Sequence, residues 1–129
     1  MAKLPAEGAM LTLAKRLVAE GHRVAITAVY SPAQAVVGAA LGAEWVIPYV
    51  DRAARLRPDR PVVPELKAVL EALRSPTRIL AASIKTPEQA VSALLAGAGA
   101  VSAPLCVLQA MCHDPLTEAA IQEFAEAAG

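Results

Sequence analysis

The sequence predicts an α/β fold in which helices cover a parallel sheet or a segment of a barrel. Apolar residues make up 56% of the 129 positions and charged residues 19%, a balance typical of a chain that buries a core. Short runs of β-branched residues alternate with longer stretches of helical periodicity, and one helix-starting motif occurs twice at a fixed separation. Strands and helices in alternation favour right-handed parallel crossovers, so a single α/β domain is expected.

Four strands and six helices are predicted along the chain. The predicted strands are Val24–Tyr30, Trp45–Val50, Arg78–Ser83 and Ala100–Ala103. The predicted helices are Glu7–Glu20, Pro32–Leu41, Val63–Leu73, Pro87–Ala96, Leu105–Cys112 and Thr117–Ala127. The segment Asp51–Pro64 is rich in Arg and Pro and predicts an irregular loop. Its arginines either receive an anionic substrate or form a solvated surface; they are Arg52, Arg55, Arg57 and Arg60.

The repeated motif is the strongest internal signal. The stretch Ser31-Pro32-Ala33-Gln34-Ala35-Val36 recurs 55 residues later, without a gap, as Thr86-Pro87-Glu88-Gln89-Ala90-Val91. The hydroxyl of Ser31 or Thr86 can cap free helix amides, and the proline that follows needs no amide partner. Two equivalent turns after strand ends are therefore predicted. In a barrel such turns build the active face, which directs attention to 27–30 and 83–85.

Composition excludes several classes of function. Twelve basic and twelve acidic residues cancel, and no basic stretch is interleaved with aromatics, so nucleic acid is not an expected partner. Apolar runs are interrupted well short of the roughly 20 residues that a membrane helix needs, and the N-terminus lacks a secretory signal, so a cytoplasmic location is expected. Cys106, Cys112 and His113 lack a second ligand pair at zinc spacing and are interpreted as ordinary reduced side chains rather than a metal site.

Four stretches, in order and in register, together resemble the small transaldolase-like aldolases. They are Lys3-Leu4-Pro5 followed by Glu7-Gly8, then Thr27-Ala28-Val29-Tyr30 with Gln34, then Ala43-Glu44-Trp45-Val46-Ile47-Pro48-Tyr49-Val50 with Arg52, and last Leu80-Ala81-Ala82-Ser83-Ile84-Lys85-Thr86-Pro87. The resemblance to the transaldolase and fructose-6-phosphate aldolase family implies a TIM barrel of eight βα units. Lys3 matches the Schiff-base lysine that ends the fourth strand. Residues 1–129 would then be one incomplete barrel domain: the end of strand four and units five to eight.

The resemblance also implies roles for five residues. Lys3 would form the Schiff base, since a desolvated amine attacks a carbonyl and the resulting iminium activates the neighbouring carbon–carbon bond. Tyr49 would serve as general acid and base, as in the aldolase branch of the family, where transaldolases carry phenylalanine. Thr27 would help to hold a catalytic water, and Arg52 and Ser83 would bind the substrate phosphate. In an unrecognised sequence Tyr49 would be a packed strand-end tyrosine and Thr27 a β-branched strand former.

The sequence departs from the family pattern in two ways: in the residues that follow Lys3-Leu4-Pro5, and in lacking the residues that the family draws from its first and third strands. Ala6 and Glu7 occupy the places where the family has a small residue and then a threonine, so that the carboxylate of Glu7 stands where the family has a neutral hydroxyl. The family also draws an aspartate from its first strand and a glutamine or glutamate from its third. Neither strand belongs to residues 1–129, and the sequence offers no identifiable substitute carboxylate. Lys85 either assists at the site or lies on its rim.

The expected function is therefore a Schiff-base aldolase or transaldolase-like reaction on a keto sugar or its phosphate, without a metal or organic cofactor. One alternative is a non-catalytic half-barrel that assembles with itself or with a partner, because an open sheet leaves edges to be covered. Another is a module that binds sugar phosphates without chemistry. A homo-oligomer is expected because Ile121 and Phe124 share one face of the last helix, which resembles the family's final helix.

Overall fold

The computed structural model describes residues 1–129 and consists of one five-stranded parallel sheet with seven helices. The strands are β1 (Ala2–Pro5), β2 (Val24–Val29), β3 (Trp45–Pro48), β4 (Arg78–Ala81) and β5 (Ala100–Val101). The helices are α1 (Gly8–Ala19), α2 (Pro32–Ala40), α3 (Val50–Leu56), α4 (Val62–Ala72), α5 (Pro87–Leu95), α6 (Leu105–Ala110) and α7 (Pro115–Ala128). No helix combines the length and the apolar character required to cross a bilayer.

The order of the strands in the sheet identifies a barrel segment. All neighbours pair in parallel and follow chain order, β1-β2-β3-β4-β5. Right-handed crossovers that always advance in the same direction place every connecting helix on the same face of the sheet. Helices on one face and an uncovered opposite face are the arrangement of a curved (β/α) barrel wall, in contrast to a doubly wound sheet. The prediction of a partial barrel is confirmed.

One predicted loop is wrong, because the first part of Asp51–Pro64 folds as α3 (Val50–Leu56). These seven residues contain no glycine or proline, and Arg55 Nε donates to Asp51 Oδ2 at 2.9 Å across one helical turn. The helix ends at Arg57 because Pro58 disfavours helical dihedrals in the residue before it. The arginines dominated the sequence pattern and concealed a helix that is only two turns long.

The core lies between the sheet and the helices and depends on a close approach of α2. Ile26 and Val46 are fully buried on the helix side of β2 and β3. A Cβ added to Gly38 would lie 2.9 Å from Val46 Cγ1, well inside van der Waals contact. Glycine at this position therefore sets the distance between α2 and the strands. Buried alanines also allow α1 and α5 to approach the sheet; they are Ala14, Ala90 and Ala93.

An ion network closes the amino end of the sheet. Glu44 precedes β3 and accepts hydrogen bonds from Arg23 Nη2 at 2.8 Å and from Arg78 Nη2 at 2.7 Å. The Arg78 guanidinium stacks over the Trp45 ring, 4.0 Å from its centroid. The hydrogen bond from Arg23 is the main cause that lowers the pKa of Glu44 from 4.5 to about 2. Glu44 therefore joins the starts of β2, β3 and β4 as an anion.

Candidate active site

Thr27 and Tyr49 meet at the carboxyl ends of β2 and β3. Thr27 pairs with Ile47 in the sheet, and alternation places Tyr49 on the same face, opposite the helices. Thr27 Oγ1 donates to the Tyr49 hydroxyl oxygen at 3.3 Å. Thr27 is one of two buried polar residues, at 7% exposure, whereas Tyr49 is half-buried. The two hydroxyl groups predicted from separate motifs are therefore in contact.

Lys3 lies on the adjacent strand and on the same face. It pairs with Ala25, and Pro5 pairs with Thr27, so Lys3 stands one pleat before Thr27 along the neighbouring strand. The Lys3 side chain is exposed, because β1 is an edge strand with no neighbour on its outer side. The structure brings Lys3 to the same face as Thr27 and Tyr49 and leaves its amine open to solvent.

Arg52 stands beside Tyr49 in the first turn of α3. Its guanidinium carbon lies 5.8 Å from the centroid of the Tyr49 ring, and Tyr30 meets the same ring edge-on at 5.9 Å between centroids. Tyr49 is the N-cap position of α3, so the end of β3 and the start of the helix place these two side chains next to each other. Arg52 itself is exposed and free to receive an anion at the sheet's carboxyl end.

Ser83 occupies a left-handed turn after β4. Its φ is +58°, and Ala28, at the equivalent position of the repeat, has φ +56°, inside β2 where the register shifts between Thr27 and Val29. Both residues carry a Cβ, so each stores roughly 1–3 kcal/mol of backbone strain. The Asp51 N–H donates to the Ser83 carbonyl at 3.2 Å, which ties the Ser83 turn to the start of α3. The two copies of the repeat therefore also share a residue with positive φ, three positions before the residue that caps the following helix.

Asp51 is a residue of this face that the sequence did not single out. Its carboxylate accepts from Gln89 Nε2 at 3.1 Å and from Arg55 Nε at 2.9 Å. These two bonds, Gln89 first, hold the pKa of Asp51 below its ordinary value, and the positive charge of Lys85 adds to the effect. A carboxylate so well satisfied is a weak base, so Asp51 is suited to hold position rather than to move protons. The one signal in the sequence for this cluster was the correspondence of Gln89 to Gln34 in the two copies of the repeat.

The departure from the family pattern at Glu7 has a local explanation. Glu7 caps α1 by accepting a hydrogen bond from the Ala9 N–H at 3.4 Å, and its backbone is extended. Its carboxylate thus has a partner on α1. The Ala6 N–H donates to the Thr27 carbonyl at 2.9 Å, so the chain after β1 remains attached to β2. Ala6 and Glu7 are compatible with the pairing that holds Lys3 in the sheet.

The candidate site is an open surface rather than an enclosed pocket. Cavities of about 500 and 470 Å³ lie at the amino end of β4 and between α3, α4 and α5, and neither is lined by any of the five predicted site residues. Cys106 and Cys112 are both exposed near the C-terminus, and no group of three or more His, Cys, Asp or Glu is arranged to hold a metal ion.

Comparisons with known proteins agree with this architecture. The chain superposes on a mutant of flavocytochrome b2 with benzoylformate (TM-score 0.57, 18% identity, 70% of this chain and 25% of that chain). It also superposes on a mutant of mandelate oxidase with 2-hydroxy-phenylacetamide (TM-score 0.55, 15% identity, 72% of this chain and 28% of that chain). The chain spans about a quarter of the length of each of these two proteins, and at such identities the likeness concerns the fold alone.

A match by sequence is more specific. The family model described as Transaldolase/Fructose-6-phosphate aldolase covers residues 1–128, which include all four stretches that carry the resemblance. The chain belongs to the transaldolase/fructose-6-phosphate aldolase family.

Proposed function

We propose that the chain acts as a Schiff-base aldolase or transaldolase-like module on a keto sugar or keto sugar phosphate, with Lys3 as the amine. The observation that carries the proposal is the contact between Thr27 and Tyr49 at the carboxyl end of the sheet, on the face that Lys3 shares. Active sites of (β/α) barrels lie at this end. Family membership supports an aldolase-like reaction, and these residues supply its chemical groups.

The reaction follows from the chemistry of each group. The unprotonated Lys3 amine adds to the substrate ketone, and loss of water gives an iminium. Tyr49, as the proposed general base, takes the proton of the substrate hydroxyl two carbons from the iminium carbon. That oxygen becomes the carbonyl of the released aldehyde, and the electron pair of the broken carbon–carbon bond moves to the iminium and leaves an enamine on the lysine. In the reverse direction the enamine attacks an aldehyde while the Tyr49 hydroxyl donates a proton to the new alkoxide. Thr27 is proposed to hold the water that returns the proton, and its contact with the Tyr49 hydroxyl supports this role.

Arg52 and Ser83 are proposed to bind the phosphate of the substrate. The exposed guanidinium of Arg52 presents several N–H donors next to Tyr49, and the Ser83 hydroxyl adds a donor from the neighbouring turn. A phosphate held there would direct the rest of the sugar across Tyr49 towards Lys3. The negative charge of Asp51 does not oppose this binding strongly, because Arg55 and Gln89 already satisfy its carboxylate.

A second candidate is a non-catalytic half-barrel that assembles with itself or with a partner. The observation that favours it is the open sheet: β1 and β5 each have one edge without a neighbour, and a barrel of this class closes with eight strands whereas residues 1–129 supply five. The exposure of Lys3 follows from that open edge. Covering that edge would also remove the Lys3 amine from solvent.

The deciding experiment is borohydride reduction in the presence of dihydroxyacetone or fructose 6-phosphate, followed by peptide mass spectrometry. A sugar-sized adduct on the Lys3 peptide, lost in Lys3→Ala and kept in Lys15→Ala, is expected. Lys15 is the matched control because it is an exposed lysine on α1. Absence of an adduct at saturating substrate would overturn the proposal for this chain. Binding of fructose 6-phosphate without an adduct would favour a binding module.

A homo-oligomer belongs to the same proposal. None of the fourteen residues of α7 is buried, and Leu116, Ile121 and Phe124 are 81%, 61% and 72% exposed. An amphipathic helix with an exposed apolar stripe is suited to pack against another subunit. Helix α7 is therefore the proposed contact between subunits.

A further inference from the structure

Two glutamines occupy the same place in the two halves of the repeat and make the same pair of contacts. Gln34 Oε1 accepts from the Tyr30 N–H, and Gln89 Oε1 accepts from the Lys85 N–H, both at 2.8 Å. In a capping box the side chain at this position reaches back to the amide of the cap residue itself. Here each glutamine reaches one residue further, into the turn that follows the strand.

The amide nitrogen of each glutamine crosses to the preceding βα unit. Gln34 Nε2 donates to the Ala6 carbonyl at 3.5 Å, after β1, and Gln89 Nε2 donates to Asp51 Oδ1 at 3.1 Å, after β3. A helix cap needs only the oxygen. The nitrogen has no capping task, and in both copies it is used to join two neighbouring strand ends.

We propose that Gln34 and Gln89 are positioning residues that hold neighbouring strand-end loops in the arrangement required for reaction. The inference rests on the proposed Schiff-base chemistry. Gln34 joins the turn after Thr27 to the segment after Lys3. Gln89 joins the turn after Ser83 to the residue before Arg52. Gln34 is thus proposed to position Lys3 and the water held by Thr27, and Gln89 to position the two residues that bind the phosphate.

The contact of Gln89 is the stronger of the two. Its acceptor is the carboxylate of Asp51, which Arg55 and Gln89 keep ionised, so the bond is charge-assisted. The Asp51 N–H also donates to the Ser83 carbonyl at 3.2 Å. The Val50 N–H donates to the Ala82 carbonyl at 2.8 Å as well, so the Gln89 side chain adds a third bond to the two backbone bonds that join the end of β4 to the start of α3, where Arg52 stands. The contact of Gln34 is longer and its acceptor is neutral, so a smaller effect is expected from its loss.

Replacement by glutamate separates positioning from capping, because glutamate keeps the capping oxygen and loses the donor. Gln89→Glu brings a second carboxylate against Asp51. We expect it to raise KM for fructose 6-phosphate about tenfold, at nearly unchanged kcat, and to leave trapping of unphosphorylated dihydroxyacetone within about twofold of the parent. Gln122→Glu is the matched control, because Gln122 Nε2 donates to the Glu126 carboxylate at 2.8 Å on exposed α7. The control is expected to behave like the parent with both substrates.

For Gln34→Glu we expect a roughly threefold slower rate of Lys3 trapping with both substrates, without a selective change in KM for the phosphorylated one. Trapping is followed across pH, because a new carboxylate could also act on the charge of Lys3. A uniform drop across the pH range supports positioning. If the trapping rate of Gln34→Glu reaches the same maximum as that of the parent, and only the pH at which it does so changes, the positioning role of Gln34 is overturned.

The outcomes separate this inference from the function on which it rests. Failure of the parent chain to form any adduct overturns the proposed function and the inference together. An adduct in the parent, with Gln89→Glu indistinguishable from Gln122→Glu in KM and kcat, overturns the role of Gln89 and leaves the function intact. Equal losses with phosphorylated and unphosphorylated substrate in Gln89→Glu also overturn it, because general loosening would then explain the effect.

Discussion

The close approach of α2 to the sheet predicts a non-additive response to mutation. In Gly38→Ala the new methyl group would lie 2.9 Å from Val46 Cγ1, whereas carbon atoms prefer about 3.5–4.0 Å. Val46 is fully buried, at 0% exposure, and its side chain is short and β-branched. Overpacking of this kind costs about 1–3 kcal/mol, and the better helix propensity of alanine returns up to about 1 kcal/mol. A net loss of about 0–2 kcal/mol in the free energy of unfolding is expected.

The second variant makes this prediction sharp. Val46→Ala alone removes two buried methyl groups and should cost about 2 kcal/mol, from about 0.8 kcal/mol per group plus the cavity. In the double variant the methyl group added at position 38 enters the vacated space, so the combined loss should fall short of the sum by at least about 1 kcal/mol.

Urea unfolding measures the free energy of unfolding for the parent, both single variants and the double variant, with the slope checked for constancy. Gly8→Ala serves as a control for helix propensity without overpacking, because a Cβ at Gly8, the first residue of α1, has no atom within 4 Å; it should leave the free energy of unfolding unchanged or raise it by up to about 1 kcal/mol. Effects of Gly38→Ala and Val46→Ala that add within about 0.5 kcal/mol would refute the reasoning, since independent sites behave in that way. A destabilised Gly8→Ala would show that helix glycines matter here for another reason.

Three further predictions concern the site, the ion network and the last helix. Tyr49→Phe should keep the borohydride adduct on Lys3 but slow carbon–carbon bond cleavage by about 10²–10⁴, and equal loss of both would contradict an acid–base role for the phenol. Because the pKa of Glu44 falls from 4.5 to about 2 on folding, its stabilising effect is present above pH 4.5 and is lost as the pH falls towards 2. Glu44→Gln should therefore remove this part of the pH dependence of thermal unfolding. A variant whose unfolding temperature depends on pH as that of the parent does would contradict the prediction. Phe124→Asp should reduce the molar mass measured by light scattering, whereas an assembly of unchanged mass would exclude α7 as the subunit contact.

The fold was largely predictable from the sequence because hydrophobic periodicity and helix-capping residues depend only on neighbours along the chain. The side chains of Ser31 and Thr86 cap α2 and α5 by accepting hydrogen bonds from the backbone N–H groups of Gln34 and Gln89, as the repeat predicted. The predicted ends of β2 to β5 lie one or two residues after the observed ends, and backbone bonds to the neighbouring strand continue there, for example from the Ala82 N–H to the Pro48 carbonyl at 2.9 Å. Helix α3 was missed, since proline and arginine composition outweighed a short run of helix-forming residues.

The candidate site was predictable only in part. The motifs named Thr27 and Tyr49 separately, and the parallel register that brings their hydroxyl groups to 3.3 Å is a tertiary property. The cluster around Asp51 was not predicted, because its partner Gln89 is 38 residues away in the sequence. The left-handed turn at Ser83 was also hidden, since serine gives no sign of a positive φ.

The ion network around Glu44 has a consequence for how charge can be changed in this protein. Strands of four residues at about 3.3 Å per residue put roughly 13 Å between the two ends of the sheet, which exceeds the Debye length of about 8 Å at physiological salt. Solvent ions therefore screen the exposed groups at one end from those at the other. Arginines and carboxylates at the amino end can be rearranged for solubility or heat resistance with only a small change in the electrostatic potential that an anion meets near Arg52.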